Sequence, residues 1–386
     1  MDSGNGRTGP VRVLHVVCQM DRCGIETWLM HVLRHIDRDR FRMDFLVHTI
    51  DSCDYDDEIR SLGSEIIPCL HPSRPWTYAR NFKRILRELG PYDVVHSHVH
   101  HFSGLVLRVA GTAGVPIRIA HSHLDTTRLQ TGAGSLRRAY LALMNRWMAR
   151  YATTRLAASR PAAEALFGTG RGDCDRYRVL YYVIDLEPFR RPADRDAVRA
   201  ELGIPPDAFV IGHVGRFAPQ KNHTFLVEIF GELVRREPSA HLLLVSGEGE
   251  LLPAVEWQLA RAGLAERVVF TGSRPDVPRL MLGAMDVFLF PSRFEGLGLV
   301  LVEAQAAGLP CVISDVVPEE ADVVPGLVRR MSLARPAEAW AEAILDSRRA
   351  GVALDRRAAL ECVERSPFNV ETCLGALAEV YSAASR

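Results

Sequence analysis

Strand-like and helix-like stretches alternate along almost the whole chain, and this alternation limits the fold more than any other feature of the sequence. Short apolar runs such as Val11–Cys18 and Met43–His48 are typical of buried strands, and helical patterns such as Ile25–Ile36 follow them. Strands and helices that alternate in this way pack as a mainly parallel sheet covered on both faces. The sequence therefore predicts an α/β fold.

One interruption of this alternation indicates two domains. Residues 185–208 are rich in Pro, Arg and Asp, and strands resume after them. A chain of 386 residues is also too long for one ordinary core. We predict a doubly wound domain over residues 1–184, a second over 185–365, and a terminal helix in 366–386 that packs back on the N-terminal domain. Ligands of such sheets bind outside the carboxyl ends of the strands, so the site is expected in a central cleft that both domains face.

Composition argues against several classes of function. Basic and acidic residues number 47 each, so no overall field attracts nucleic acid, and we expect no nucleic-acid partner. The eight cysteines include no C-x-x-C pair. No apolar run is suited to span a bilayer or to act as a signal peptide. We therefore expect a reduced, cytoplasmic setting.

The segment from Pro291 to Cys311 combines a predicted helix with two carboxylates. The helix is expected to open at Leu297 and to stop at Gly308 and Pro310. Glu295 precedes it and Glu303 lies two turns in, so their backbones should be about 12 Å apart. Glycoside hydrolases need paired carboxyl groups about 5 to 9.5 Å apart. The wider pair is better suited to bracket a larger molecule.

A helix N-terminus between these two acids favours an anion. Unpaired amides at the start of a helix bind groups such as phosphate, and here they would come from Gly296, Leu297, Gly298 and Leu299. The order acid, anion site, acid suits a nucleotide-sugar, with its hexose hydroxyls, diphosphate and ribose hydroxyls. The alternative is that Glu295 is only a helix-start acid, favoured by the dipole, and that Glu303 is merely solvated.

Two cations follow the first strand of the second domain. Arg216 and Lys221 lie in a predicted strand-to-helix loop at the carboxyl edge of the sheet. Arginine can make a forked contact with a diphosphate, and lysine acts as a point charge. Isolated basic loop residues are also common as solvated surface groups, so both interpretations stay open from these residues alone.

Histidines cluster at predicted strand ends in the first domain. They are His96, His98, His100 and His101, followed by His121 and His123. Alternate strand residues share a face and imidazole suits zinc. No acidic or cysteine ligand stands nearby at a supporting spacing, and we therefore expect no metal.

Several of these motifs resemble glycosyltransferase family 4. Glu295 and Glu303 match the E-x7-E pattern of retaining GT-B glycosyltransferases, and Arg216 and Lys221 match the G-R-x4-K element that holds the donor pyrophosphate. The stretch from Cys23 to Glu26 resembles the G-G-x-E loop of the family. Cys23 stands at its first glycine, which leaves Gly24 as the position that a ligand can approach closely.

The resemblance also assigns roles to other residues. His123, in the sequence AHSH, matches a histidine near the donor hexose and acceptor, and His98 is a weaker candidate. Arg274 lies in the loop that meets the nucleobase. In this assignment Glu295 orients the hexose hydroxyls and Glu303 the ribose. Features of the exopolysaccharide-type subgroup are Ser314-Asp315, Pro318-Glu319-Glu320 and Trp340.

The resemblance implies a GT-B fold of two Rossmann-like domains and a retaining, metal-independent glycosyltransferase without a cofactor. The donor would be a nucleoside-diphosphate hexose or aminohexose, with UDP expected. The acceptor hydroxyl would belong to a soluble natural product, such as an aminoglycoside antibiotic, or to a polysaccharide precursor. Basic residues around Trp76 and Trp147 leave peripheral membrane contact as an alternative that we do not favour. The rival functions are a nucleotide-sugar epimerase or phosphorylase on the same fold, and a non-catalytic nucleotide-sugar-binding protein.

Overall fold

The structure, a computed structural model, describes residues 9–124, 134–168, 177–247, 249–349 and 355–383. These residues form two compact units. The first contains the described residues up to Val183 together with those from Val370 onward, and the second contains those from Ile184 to Asn369. Each unit is built around its own parallel sheet.

The first unit has a seven-stranded sheet in which every strand pair is parallel. The strands are β1 (Val11–Val16), β2 (Phe41–Val47), β3 (Ile66–Pro68), β4 (Val94–Ser97), β5 (Ile117–Ser122), β6 (Thr154–Ala157) and β7 (Arg178–Val179). Their order across the sheet is β3-β2-β1-β4-β5-β6-β7. The chain therefore changes direction across the sheet between β1 and β4.

Helices cover this sheet. They are α1 (Gly24–His35), α2 (Asp56–Ser61), α3 (Pro75–Glu88), α4 (Ser103–Thr112), α5 (Ser135–Tyr151), α6 (Arg160–Phe167) and the last helix of the chain, α15 (Val370–Ser382). One hydrophobic core joins strand residues such as Leu14 and Val95 to Phe82 of α3 and Met148 of α5. Helix α15 contributes the fully buried Tyr381.

The second unit has a six-stranded sheet, again parallel at every pair. Its strands are β8 (Phe209–Val214), β9 (Ala240–Val245), β10 (Val268–Phe270), β11 (Val287–Phe290), β12 (Cys311–Ser314) and β13 (Val328–Met331). They lie in the order β10-β9-β8-β11-β12-β13, so the direction of winding changes between β8 and β11.

The helices of the second unit are α7 (Glu187–Arg190), α8 (Arg195–Glu201), α9 (His223–Arg236), α10 (Leu252–Arg261), α11 (Val277–Gly283), α12 (Leu299–Ala306), α13 (Ala337–Arg349) and α14 (Arg356–Glu364). Its core packs β8 and β9 against Phe230 of α9 and the buried Trp340 of α13. Together the two units confirm the predicted α/β fold of two doubly wound parallel sheets.

Strand β13 was not predicted from the sequence. It reads VRRM, and its residues are half-buried or exposed because β13 is an edge strand paired only with β12. Two adjacent arginines are atypical of a buried strand, which explains why the sequence pattern did not reveal it. None of the described helices has the length and apolar composition needed to cross a bilayer.

Candidate functional site

The change of winding in the second sheet brings two loops side by side. One follows β8 and contains Arg216 and Lys221, and the other follows β11 and contains Glu295. Both leave the carboxyl edge of the sheet, where open α/β sheets bind their ligands. A Cβ atom at Gly215 would lie 3.0 Å from Cε of Lys221, so a larger residue there would press on the lysine stem.

Lys221 and Glu295 form an ion pair within this site. The Nζ atom of Lys221 lies 2.7 Å from Oε1 of Glu295, and Nε2 of Gln220 donates to Oε2 at 3.0 Å. Glu295 is 5% exposed. Nζ also lies 4.5 Å from the centre of the Phe290 ring, within cation–π range. These contacts hold both charged groups in one orientation.

The two loops are tied together through their backbones. The amide of Arg293 donates to the carbonyl of Gln220 at 2.8 Å, and Nδ2 of Asn222 donates to the carbonyl of Pro291 at 3.1 Å. Asn222 has a left-handed backbone with φ of 58°, a conformation that asparagine tolerates better than most residues. The site is therefore built on a connected frame rather than on two independent loops.

Arg216 differs from Lys221 in having no internal partner. It is exposed, and among the residues that the structure describes its guanidinium has no hydrogen bond or ion pair. An unpaired guanidinium can bind an anion without first breaking an existing contact.

The predicted helix start at Leu297 was wrong by two residues. Helix α12 begins at Leu299, and Gly298 caps it with φ of 86°. A left-handed residue cannot lie inside a right-handed helix, so Gly298 delays the helix. Gly296 and Leu297 precede it, and the side chain of Leu297 is buried in the core. The helix N-terminus that could bind an anion is therefore formed by Leu299 and the residues after it.

Glu303 lies about one turn into α12, rather than the two turns expected from the sequence, because the helix begins at Leu299. It is partly exposed, and no described residue hydrogen-bonds or ion-pairs with its carboxyl group. Desolvation by the surrounding protein raises its pKa to about 7. The carboxyl group therefore titrates near neutrality and remains available to a ligand.

Arg274 is not brought to these loops. It follows β10, the edge strand, which is separated from β8 by β9. Its guanidinium pairs with Asp276 at 2.7 Å and with Glu201 at 2.9 Å. These contacts raise the pKa of Arg274. A nucleobase at this loop would therefore contact either the already paired Arg274 side chain or the backbone beside it.

In the first unit, Gly24 is the first residue of α1 and follows the loop after β1. A Cβ atom placed on Gly24 would have no atom of the described residues within 4 Å apart from its chain neighbours, so the space beside it is open within this part of the structure. The helix start at Gly24 is therefore accessible to a ligand.

His123 belongs to a cluster of five buried histidines from three neighbouring strands and the residues that follow them. The members are His15, His96, His98, His121 and His123. Nε2 of His123 lies 2.8 Å from Nδ1 of His98, and Nδ1 of His123 contacts the hydroxyl of Tyr182. His123 is 6% exposed. Burial lowers its pKa to about 3, so the ring is neutral at physiological pH.

Sequence reasoning missed His15, Tyr182 and Tyr381 as partners of these rings. His15 stands opposite His96 in the register of β1 and β4, and its place in a predicted strand could have drawn attention to it. The hydroxyl of Tyr381 hydrogen-bonds to Nδ1 of His96 at 2.9 Å across 285 residues of sequence. No local pattern indicates a contact over such a separation.

Comparisons with known proteins match both units. Residues 23–182 match the family described as glycosyl transferase 4-like domain, and residues 208–347 match the family described as glycosyl transferases group 1. The putative glycosyltransferase EpsF of Bacillus subtilis is 38% identical over 374 residues, which is 96% of each chain.

Two further similarities concern part of the chain and the fold. The UDP-Gal:α-D-GlcNAc-diphosphoundecaprenol α-1,3-galactosyltransferase of Escherichia coli is 30% identical over 58% of each chain. The crystal structure of Anabaena HepE with UDP and glucose superposes with a TM-score of 0.79. The superposition covers 97% of this chain and 100% of the HepE chain, at 19% sequence identity. At that identity the likeness concerns the fold alone.

Proposed function

This chain belongs to the family 4-type glycosyltransferases and has their GT-B fold, and on that premise we propose that it transfers a hexosyl or aminohexosyl group from UDP-sugar to an acceptor hydroxyl with retention of configuration. The observation that carries the proposal is the arrangement of Arg216, Lys221 and Glu295 at the change of winding in the second sheet.

The charges at this site suit a diphosphate. Arg216 is exposed and unpaired within the described structure, and Lys221 is fixed 2.7 Å from Glu295. Together with the helix N-terminus at Leu299, they supply positive potential where negative charge develops as the diphosphate leaves. A nucleoside diphosphate is the ligand that this potential favours, and the UDP bound to HepE supports uridine as its nucleoside.

The two carboxyl groups would hold the hydroxyl groups on either side of the diphosphate. Glu295 accepts hydrogen bonds from the hexose, because each of its oxygens has lone pairs beyond its bonds to Lys221 and Gln220. Glu303 accepts from the ribose. Gly24 lies at an open helix start, where protein backbone can approach the ligand.

The proposed reaction is a displacement on the face from which the diphosphate departs. The acceptor oxygen bonds to the anomeric carbon as the bond from that carbon to the diphosphate oxygen breaks. The acceptor proton passes to the departing phosphate oxygen. Neutral His123 positions the reacting groups. Arg216 and Lys221 take the role that a divalent metal has in other transferases, so the transfer is expected to be independent of metal.

A lipid-linked polysaccharide precursor is the acceptor class that we propose. The E. coli relative is described as acting on a diphosphoundecaprenol-linked sugar. Helix α5 carries four arginines and no acidic residue, and its Leu136 is 89% exposed. A basic helix with exposed apolar side chains suits an anionic lipid surface.

The experiment is a transfer assay with labelled UDP-sugars and a sugar diphospholipid. We expect label in the lipid product, an α-linked product from an α-linked donor by NMR, and equal rates with magnesium or EDTA. The Glu295→Gln variant should lose at least about a hundredfold in kcat/KM, near 3 kcal/mol. Glu232→Gln, an acid on α9 away from these loops, is the control. Epimerised UDP-sugar in the absence of any acceptor would instead favour the epimerase alternative.

A further inference from the structure

The five histidines of the first unit are more than a packed group of aromatic rings. Two sets of three could each hold a metal ion: His15, His96 and His98, and His98, His121 and His123. Within each set, one ring nitrogen from every member lies within 4.8 Å of the others. We propose, contrary to the expectation from the sequence, that His98, His121 and His123 form a structural zinc-binding site, whose ion takes no part in the metal-independent transfer proposed above.

Unsatisfied nitrogens support a ligand in this cluster. Nε2 of His121 and Nε2 of His15 are buried without a hydrogen-bond partner in the described structure. A buried polar atom without a partner costs about 1–3 kcal/mol. A bound metal ion would satisfy the nitrogen of His121 directly.

The hydrogen bonds around the set already orient each ring for ligation. Nε2 of His98 lies 2.9 Å from Nδ1 of His15, Nδ1 of His121 lies 3.1 Å from Nε2 of His96, and Nδ1 of His123 contacts the Tyr182 hydroxyl. Metal-bound histidines usually hydrogen-bond through their second ring nitrogen in this way. The nitrogens that would bind the ion are Nε2 of His121, which has no partner, and Nδ1 of His98 and Nε2 of His123, which bond to each other in the absence of an ion.

Proton counting is consistent with this arrangement. In the empty cluster one proton lies between Nδ1 of His98 and Nε2 of His123, which are 2.8 Å apart. When both nitrogens bind the ion, the ring protons occupy the opposite nitrogens and donate to His15 and Tyr182. Binding therefore changes only the tautomers of the rings. His15, His98, His123 and Tyr182 together lose no proton.

The alternative set, His15, His96 and His98, is less suitable. Both nitrogens of His96 and both of His98 have partners, so ligation by this set breaks two hydrogen bonds, whereas the proposed set breaks only the one between His98 and His123. In the proposed set His98 and His123 are each 6% exposed and His121 is fully buried, whereas in the alternative set only His98 retains any exposure. Neutral imidazoles prefer zinc and its neighbours among divalent ions to magnesium.

The test is zinc content after equilibrium dialysis of the EDTA-treated, full-length protein against ZnCl2. We expect one zinc ion per chain, a rise in melting temperature with zinc but not with magnesium, and visible absorption of a four-coordinate site when cobalt replaces zinc. These readouts do not depend on glycosyl transfer, so they stand or fall separately from the proposed activity.

Variants decide which rings bind. His121→Gln should weaken zinc binding by more than about tenfold, and His98→Gln should do the same. His213→Gln is the matched control, since His213 is also buried with an unpartnered Nε2 but belongs to no such set of three among the described residues. Absence of zinc from the wild-type protein would overturn the proposal. So would a result in which His121→Gln still binds zinc and only His98→Gln has lost it.

Discussion

Glu303 is the residue whose protonation should control donor affinity near neutral pH. Its pKa is raised to about 7 by desolvation, so the free protein carries a carboxylic acid below that pH and a carboxylate above it. A carboxylate accepts hydrogen bonds from two ribose hydroxyls, whereas the protonated group loses part of this capacity. Donor affinity should therefore rise as the pH increases from 6 to 8.

The measurement is the dissociation constant of the UDP-sugar across that pH range. We expect several-fold tighter binding at pH 8 than at pH 6 in the wild-type protein. Glu303→Gln, which cannot ionise, should give weaker binding with a flat profile. The Glu228→Gln variant, an acid on the exposed face of α9, is the control. A pH dependence that persists unchanged in Glu303→Gln would contradict the ribose assignment.

At the residue scale, the sequence indicated individual charges better than their partners. Lys221 and Glu295 were both predicted as site residues, yet their direct ion pair was not, because 74 residues separate them in sequence. The pair depends on β8 and β11 being neighbours, which is a property of strand order. Arg274 shows the converse, since its pairing with Glu201 spans 73 residues and had no local signal.

At the element scale, Gly298 determines where α12 begins. A Cβ atom there would lie 3.3 Å from the Phe290 ring and 3.4 Å from Val317, at φ of +86°. Gly298→Ala should therefore cost about 1–2 kcal/mol of stability through backbone strain. It should also weaken UDP-sugar binding, because the strain moves the helix N-terminus away from the diphosphate.

Gly263→Ala separates these two effects. Gly263 lies in the turn after α10 and is also left-handed, with φ of +68°, but no other described residue has an atom within 4 Å of its added Cβ. Denaturant unfolding should show similar losses for both variants, and calorimetry should show weaker donor binding for Gly298→Ala alone. Equal donor affinities would argue against a role for the α12 N-terminus.

Elements with strong patterns were predicted closely, and weakly patterned ones were not. Helix α1 and strands β1 and β2 lie within two residues of the bounds expected from the sequence. The start of α12 was placed too early, because apolar residues continue through Gly296–Leu299 and do not reveal the left-handed turn. The helix α14 was not predicted; it reads RRAALECVE and buries Ala359 and Val363, so it offers little apolar pattern.

At the scale of the whole molecule, the C-terminal helix completes the first unit although the whole of the second unit precedes it in sequence. Tyr381 of α15 is fully buried, and its hydroxyl lies 2.9 Å from Nδ1 of His96. Tyr381→Phe leaves that nitrogen unpartnered and should destabilise the first unit by about 1–3 kcal/mol.

Urea unfolding followed by probes in each unit would test this effect. We expect an earlier transition in the first unit and an unchanged one in the second. Tyr140→Phe, at a position that is 41% exposed on α5, is the control and should have no effect. An equal shift in both units would mean that they do not unfold as separate bodies.

The fold of the whole chain could be predicted from the sequence because strand and helix periodicities are local, and family motifs added the type of reaction. Contacts that join distant segments could not. The histidine cluster, for example, needs β1, β4 and β5 to lie side by side, which follows from the strand order.

The most direct test of the donor site is thermal stabilisation of the wild-type protein and Arg216→Ala by UDP-, GDP-, ADP- and dTDP-sugars, with and without magnesium. Arg216 is exposed and unpaired within the described structure, so its loss should leave the ligand-free melting temperature unchanged. At a concentration of about a hundred times its dissociation constant, a bound donor raises the free energy of unfolding by about 2.7 kcal/mol. We predict stabilisation by UDP-sugars, independent of magnesium and largely lost in Arg216→Ala. Equal stabilisation of both proteins, or no stabilisation by any nucleotide-sugar, would contradict a diphosphate site at Arg216 and Lys221.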